Sequence, residues 1–159
     1  LDTALHIRDR QTKELVRQSS THVKYSPGGL IDIEYTIQYL QLMHGHSVPT
    51  LQTSNTLQAL DALLNAGLLN NQEAKTLQED YLFLRQLIDA LRIVRGNAQD
   101  LVLPPSNSDG MIFLARRLGF ITEDWHEGAK ALEKEIHRRM KRTHGIFKKR
   151  FGRRKNDPG

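Results

Sequence analysis

A chain of 159 residues, 38% of them hydrophobic, can bury the core of about one domain. It has no cysteine, which excludes a disulfide framework and a thiolate metal site, and it shows neither an apolar run near the ~18 residues of a membrane span nor a secretory leader. The net charge of +5 is uneven: residues 130–159 hold 12 Lys and Arg against three acids, giving +9, while residues 1–129 carry −4. The basic character therefore belongs to the C-terminal stretch. The chain opens on Leu1 and not on methionine, which reads as a piece of something longer, and the profile as a whole fits a cytoplasmic protein.

Residues 1–18 read as a helix, with Leu5, Arg8, Thr12, Leu15 and Val16 along one side. It is weakly apolar, and residues 1–20 form a leading segment expected to fray. Residues 22–25 have β character, at most one vestigial strand near Val23, and a lone strand needs a partner. Pro27-Gly28-Gly29 then turns the chain. Proline fixes φ, and two glycines permit backbone angles and close approaches that a Cβ forbids. A helix starting there would offer free N–H groups and a partial positive charge, a place for an anion.

That helix, Leu30–His44, is apolar almost all round. Leu30, Ile33, Ile37 and Leu40 form one stripe, and Ile31, Tyr35 and Leu42 a second; Glu34, Gln38 and Gln41 make the continuous polar stripe. Such a pattern predicts burial, with Glu34 at the mouth of a cleft or paired inside. With Gly29 as N-cap, Asp32 takes the third helical position, where an acid caps free N–H groups and suits the helix dipole. Glu34 lies past the first turn, so capping does not explain it; its plain alternative is a solvated acid on a polar stripe.

Gly45 closes this helix, and residues 46–54 form a loop containing Pro49. Asn55 with Gln58, and Asn70 with Glu73, are helix starts of the capping-box kind. From the second start, Ala74, Leu77, Tyr81, Leu84, Ile88 and Leu91 recur at spacings of three and four, the strongest helical signal in the chain. Residues 96–108 form a loop whose Leu101, Val102 and Leu103 tuck against the bundle. A short helix over residues 109–118 stops at Gly119. Thr122 is expected to cap the last helix, with Trp125, Ala129, Leu132, Ile136, Met140, Thr143 and Phe147 as its buried stripe. The predicted fold is all-α: an antiparallel helical bundle with short accessory helices over residues 21–151, followed by a basic disordered tail over 152–159.

The segment K-Y-S-P-G-G-L-I-D-I-E-Y, residues 24–35, with I-Q-Y-L-Q-L-M-H-G after it, resembles the glycine-rich motif of glutamine synthetase adenylyltransferases. These are large bacterial enzymes with two related nucleotidyltransferase halves. Residues 51–60 and 113–120 resemble later blocks of the family, so the likeness runs from about Lys24 to Phe151. Asp32 after Leu30-Ile31 is closer to the adenylylating half; Tyr35 stands where the family usually has Phe. The resemblance implies a helical region that follows the C-terminal nucleotidyltransferase core, closes the nucleotide cleft, and assists AMP transfer from ATP to glutamine synthetase. The partners it implies are that upstream domain, glutamine synthetase, and a regulatory signal protein such as PII. ATP and Mg²⁺ would be held by the parent enzyme and not by this chain. The resemblance also implies an upstream domain able to supply the partner for the strand near Val23, so that in this chain by itself the run is expected to be extended and weakly held.

The family's chemistry needs paired carboxylates for Mg²⁺. Here no D-x-D follows a G-S turn, and Asp32 and Glu34 on one helix point about 160° apart, so they cannot chelate one ion together. No complete catalytic set is expected in this chain, and no activity from it alone. The cleft-lining candidates are Lys24, Gly28, Gly29, Asp32 and Glu34. Lys24 would meet phosphate as a point charge, or else is a solvated edge lysine. His44 with His46 lacks a third ligand, and His137 with His144, seven apart on one face of the last helix, has many basic neighbours, so no metal site is expected. The alternative reading is a stand-alone helical module that uses its basic C-terminal helix on nucleic acid or an acidic protein. Phe147 and Phe151 fall on the apolar stripe and read as core, not as base-stacking platforms. The charge run reads as a solvated helix face, which disfavours nucleic acid.

Overall fold

A computed structural model describes residues 2–15, 20–96 and 101–152. Among them are six α-helices: α1 (Asp2–Leu15), α2 (Leu30–His44), α3 (Thr56–Asn65), α4 (Asn71–Arg95), α5 (Asp109–Arg117) and α6 (Trp125–Phe151), with one 3-10 turn at Pro49–Leu51. The fold is the expected all-α bundle, and no described helix is long and apolar enough to cross a membrane. The expected reach of the first helix to residue 18, and the expected tail beyond Gly152, lie outside the described residues.

Local chemistry sets most helix ends. Asn55 accepts a hydrogen bond from Gln58 N at 3.0 Å, and Asn70 and Glu73 close a full capping box. Ser108 caps α5. The last helix departs from expectation. Asp124, and not Thr122, is its N-cap, accepting from His126 N at 2.9 Å, while the Thr122 hydroxyl donates to the Asp124 carbonyl. Trp125, the first residue of this helix, is 57% exposed instead of buried, with the Arg116 guanidinium 5.0 Å from its ring centroid.

The α4 stripe from Ala74 to Leu91 faces the core, with Tyr81 at its edge. α4 and α6 run antiparallel: Glu73 meets Lys149 and Arg150, while Asp80 meets Arg142 and Arg139. α2 runs in the same sense as α6, since Asp32 meets His144 and Tyr39 meets Phe151, and so is antiparallel to α4. α2 packs on α3, α4 and α6. Its burial is not all round: Leu42 and Met43 are 85% and 56% exposed, while Leu40 on the other side of the same turn is buried.

The segment near Val23 finds its partner inside the chain. Val23 N donates to Leu101 O and Leu103 N to Thr21 O, both at 2.9 Å, forming one antiparallel bridge between His22 and Val102. Val23 is fully buried. The partner expected from the upstream domain is thus supplied by residues 101–103 of this chain, which corrects that expectation.

Candidate functional site

The Pro-Gly-Gly turn is built into the bundle. Gly28 has φ +79°, and a Cβ there would stand 1.7 Å from the Met140 carbonyl oxygen of α6. A Cβ on Gly29 would stand 2.5 Å from Val23 O. The bare backbone is used for close packing against this chain's own carbonyls. The start of α2 is equally committed: Leu30 N donates to Val23 O, Ile31 N to Lys24 O, and Asp32 N to Gly29 O. The free N–H groups expected to hold an anion are satisfied internally, which overturns that expectation.

Asp32 is the hub of this region. It is 1% exposed. One oxygen accepts from Arg8 Nε at 2.8 Å; the other accepts from Gly28 N at 2.6 Å and meets His144 Nδ1 at 3.1 Å. Arg8 also donates to Ser26 O, and the Ser26 hydroxyl accepts from His22 N. His22 Nδ1 accepts from the N–H groups of Lys24 and Tyr25, which shapes the approach to the turn. A position expected to cap α2 therefore ties together α1, the turn, α2 and α6. Arg8 and His144 were missed as its partners; the available signal was an arginine on the apolar side of the first helix.

Glu34 lies elsewhere. With Gln38, Gln41, Thr53, Ser54, Asn55 and Thr56 it lines a groove of about 400 Å³ between α2 and the start of α3. Gln41 Nε2 donates to Leu51 O and Thr53 O, fixing the loop that forms the far wall. Among the described residues Glu34 has no hydrogen-bond or ion-pair partner, so it stands at a cleft and is not paired inside. Lys24 is half-buried, its Nζ 5.5 Å from the Tyr25 ring centroid. Of the sequence candidates the fold joins Gly28 and Asp32 directly, packs Gly29 against Lys24's carbonyl, and leaves Glu34 on a separate face.

A second polar cluster was not foreseen. Asp80, on α4, is fully buried and accepts from Arg139 at 3.1 Å, from Arg142, and from the Thr143 hydroxyl at 2.8 Å. The hydrogen bond from Arg142 to Asp80 raises that guanidinium's pKa above its ordinary value. Glu73 is held by Lys149 and Arg150. Burial pushes its carboxyl up, but those two hydrogen bonds and the Asn70 N–H together hold it below the usual range. Much of the basic run expected to be solvated thus faces inward onto acids of α4. The signal was Asp80 sitting inside the Leu77–Leu84 stretch of the apolar stripe.

Asp32 and Glu34 do not fit a shared ion, one being closed off with a guanidinium and the other facing a groove. No group of three or more His, Asp or Glu among the described residues is arranged to hold a metal.

Fold and site together define an all-helical domain organised around a clamped glycine turn, with a polar groove on its flank. The chain belongs to the family described as GlnD PII-uridylyltransferase, which matches residues 4–151. It is 36% identical over 133 residues to the bifunctional glutamine synthetase adenylyltransferase/adenylyl-removing enzyme of Mycobacterium avium, covering 84% of this chain and 13% of that protein. The enzyme of the same name from Streptomyces coelicolor is 39% identical over 98 residues, or 62% of this chain and 10% of the relative. That of Corynebacterium glutamicum is 34% identical over 114 residues, or 72% and 11%. The resemblance read from residues 24–35 is met by these relatives. The chain spans only about a tenth to an eighth of their length.

Proposed function

We propose that this chain is the helical domain following the C-terminal nucleotidyltransferase core of a bifunctional glutamine synthetase adenylyltransferase/adenylyl-removing enzyme. In this reading it forms one wall of the nucleotide cleft and assists AMP transfer from ATP to glutamine synthetase. The observation that carries it is Glu34, an acid without a described partner at a polar groove, on the helix that follows the family's glycine turn. A carboxylate so placed can accept from a substrate hydroxyl or hold a cation of the neighbouring domain. Lys24 would add a point charge for phosphate. Gly28, Gly29 and Asp32 set the position of α2 and so of Glu34.

Mg²⁺ and ATP belong, in this reading, to carboxylates of the upstream domain, and the chain alone transfers nothing. Glutamine synthetase is the target, a signal protein such as PII a further partner, and the cytoplasm the compartment. The test is Glu34→Gln in a full-length enzyme carrying this domain. Adenylyl transfer should fall roughly ten- to a thousand-fold, as for a lost positioned electrostatic or proton-handling group, with thermal melting of the domain unchanged. Unaltered kinetics would remove the cleft-wall role.

A further inference from the structure

Sorting the basic residues of the C-terminal stretch by partner leaves a pattern. Lys130 pairs with Glu127, Arg138 and Arg139 with Glu135, Arg142 with Asp80 and Glu79, and Lys149 and Arg150 with Glu73. Of the described cations in α6, three have no acidic partner among the described residues: Lys134, Lys141 and Lys148, all exposed. They are seven residues apart, so they repeat every ~10.5 Å along one line, drifting about 20° per step. The line lies opposite the buried stripe of Leu132, Ile136, Met140 and Thr143, and no acid falls on it between Lys134 and Lys148. A face shaped only for solubility mixes both signs.

Gly145 gives a second, independent observation. It lies on the same line, and a Cβ added there would meet nothing within 4 Å. Glycine inside a helix costs about 1 kcal/mol relative to alanine. No atom of the described chain needs the space it leaves. Between Lys141 and Lys148 it opens a dip where an outside backbone can approach closely.

We propose that the row Lys134–Gly145–Lys148, with Lys141 between, docks an acidic helix of a protein partner whose carboxylates recur every seven residues. Such a helix repeats at the same ~10.5 Å and lies along α6 in register. Nucleic acid fits less well. The described arginines of α6, which would fork onto phosphate, are engaged with carboxylates, and the Phe147 and Phe151 rings pack tilted against each other at 4.6 Å, with Phe151 buried, not on the row. A membrane surface fits less well too, because the exposed Trp125 lies on the opposite side of α6 and no large apolar residue flanks the row. This docking is independent of the adenylyl-transfer reading, since it is measured without turnover.

The experiment titrates the 159-residue chain into a labelled three-heptad helical peptide with Glu at every seventh position, at low and at physiological salt. An isomer of equal composition with irregular Glu spacing, duplex DNA, and phosphatidylserine vesicles serve as the other probes. The regular peptide should bind best, and its binding should weaken with salt. The triple change Lys134→Gln, Lys141→Gln, Lys148→Gln should weaken it roughly tenfold with melting unchanged, as expected for three exposed pairs. Gly145→Ala should weaken it although the helix gains stability. No binding at low salt, equal binding of the isomer, indifference to the triple change, or tighter binding of DNA or vesicles through the same lysines would overturn the proposal.

Discussion

Arg8 Nε lies 2.8 Å from Asp32 Oδ1, with the two side chains only 5% and 1% exposed, so a buried ion pair fastens α1 to the turn that starts α2. Asp32→Asn should therefore cost more than a lost helix cap, about 0.5–2 kcal/mol. The change removes the buried negative charge that faces the Arg8 guanidinium, and about 3 kcal/mol is expected, since breaking a buried pair costs several kcal/mol while the amide oxygen keeps part of the hydrogen bonding. Urea unfolding of the variant measures it; a loss under about 1 kcal/mol would mean the pair adds little beyond capping.

Two glycines should respond in opposite directions. Gly28→Ala must adopt φ near +79° and push its Cβ into Met140 O, so α6 and the turn have to separate. A loss at or above about 4 kcal/mol, or failure to fold, is expected. Gly145→Ala meets open space in mid-helix and should stabilise by about 0.5–1 kcal/mol. Thermal melting of the pair decides; a well-folded, fully stable Gly28→Ala protein would contradict the packing described.

The Asp80 cluster separates pairing from burial. Asp80→Leu alone leaves Arg139 and Arg142 with only their outer partners Glu135 and Glu79, takes the acceptor from the buried Thr143 hydroxyl, and should cost about 3 kcal/mol. The triple change Asp80→Leu, Arg139→Met, Arg142→Met removes every charge of the core of the cluster and should recover most of that loss. If the triple variant were no more stable than the single, unpaired charge would not be the cause of the damage.

Acid should weaken the contacts of α6. The hydrogen bond from Arg138, and then, against the effect of burial, that from Arg139, draws the Glu135 carboxyl from 4.5 down to about 2. Glu73 is also held below its ordinary value. A carboxyl depressed in the folded state binds fewer protons there than in the unfolded state, so stability rises with pH across this window. Glu135's contribution is complete above 4.5 and is lost as pH falls toward 2. Arg138 is 52% exposed, so solvent screening limits the effect, and Glu135→Gln should cost about 0.5–1 kcal/mol at neutral pH. Melting followed from pH 6 to pH 2 should show a shallower decline in Glu135→Gln than in the parent; identical slopes would remove this pair as a source of acid lability.

Helix positions, most caps and the α4 core stripe follow from residues a few places apart, because capping and amphipathic periodicity are local. Asn70 with Glu73, and the recurrence from Ala74 to Leu91, needed no knowledge of the rest of the chain. The glycine turn with its family likeness was legible for the same reason. The roles of Asp32 and Glu34 were not. Both are acids on one helix, and local pattern cannot say that Asp32 meets Arg8 and His144 while Glu34 faces a groove closed by residues 53–56. The basic C-terminal stretch shows the same division. Its charge is a property of composition, but which cations are neutralised depends on α4 lying antiparallel against α6, so that Asp80 and Glu73 face arginines and lysines about sixty to seventy-five residues away in sequence. Electrostatic partnership is decided by distance in space, and only packing of the helices sets that distance.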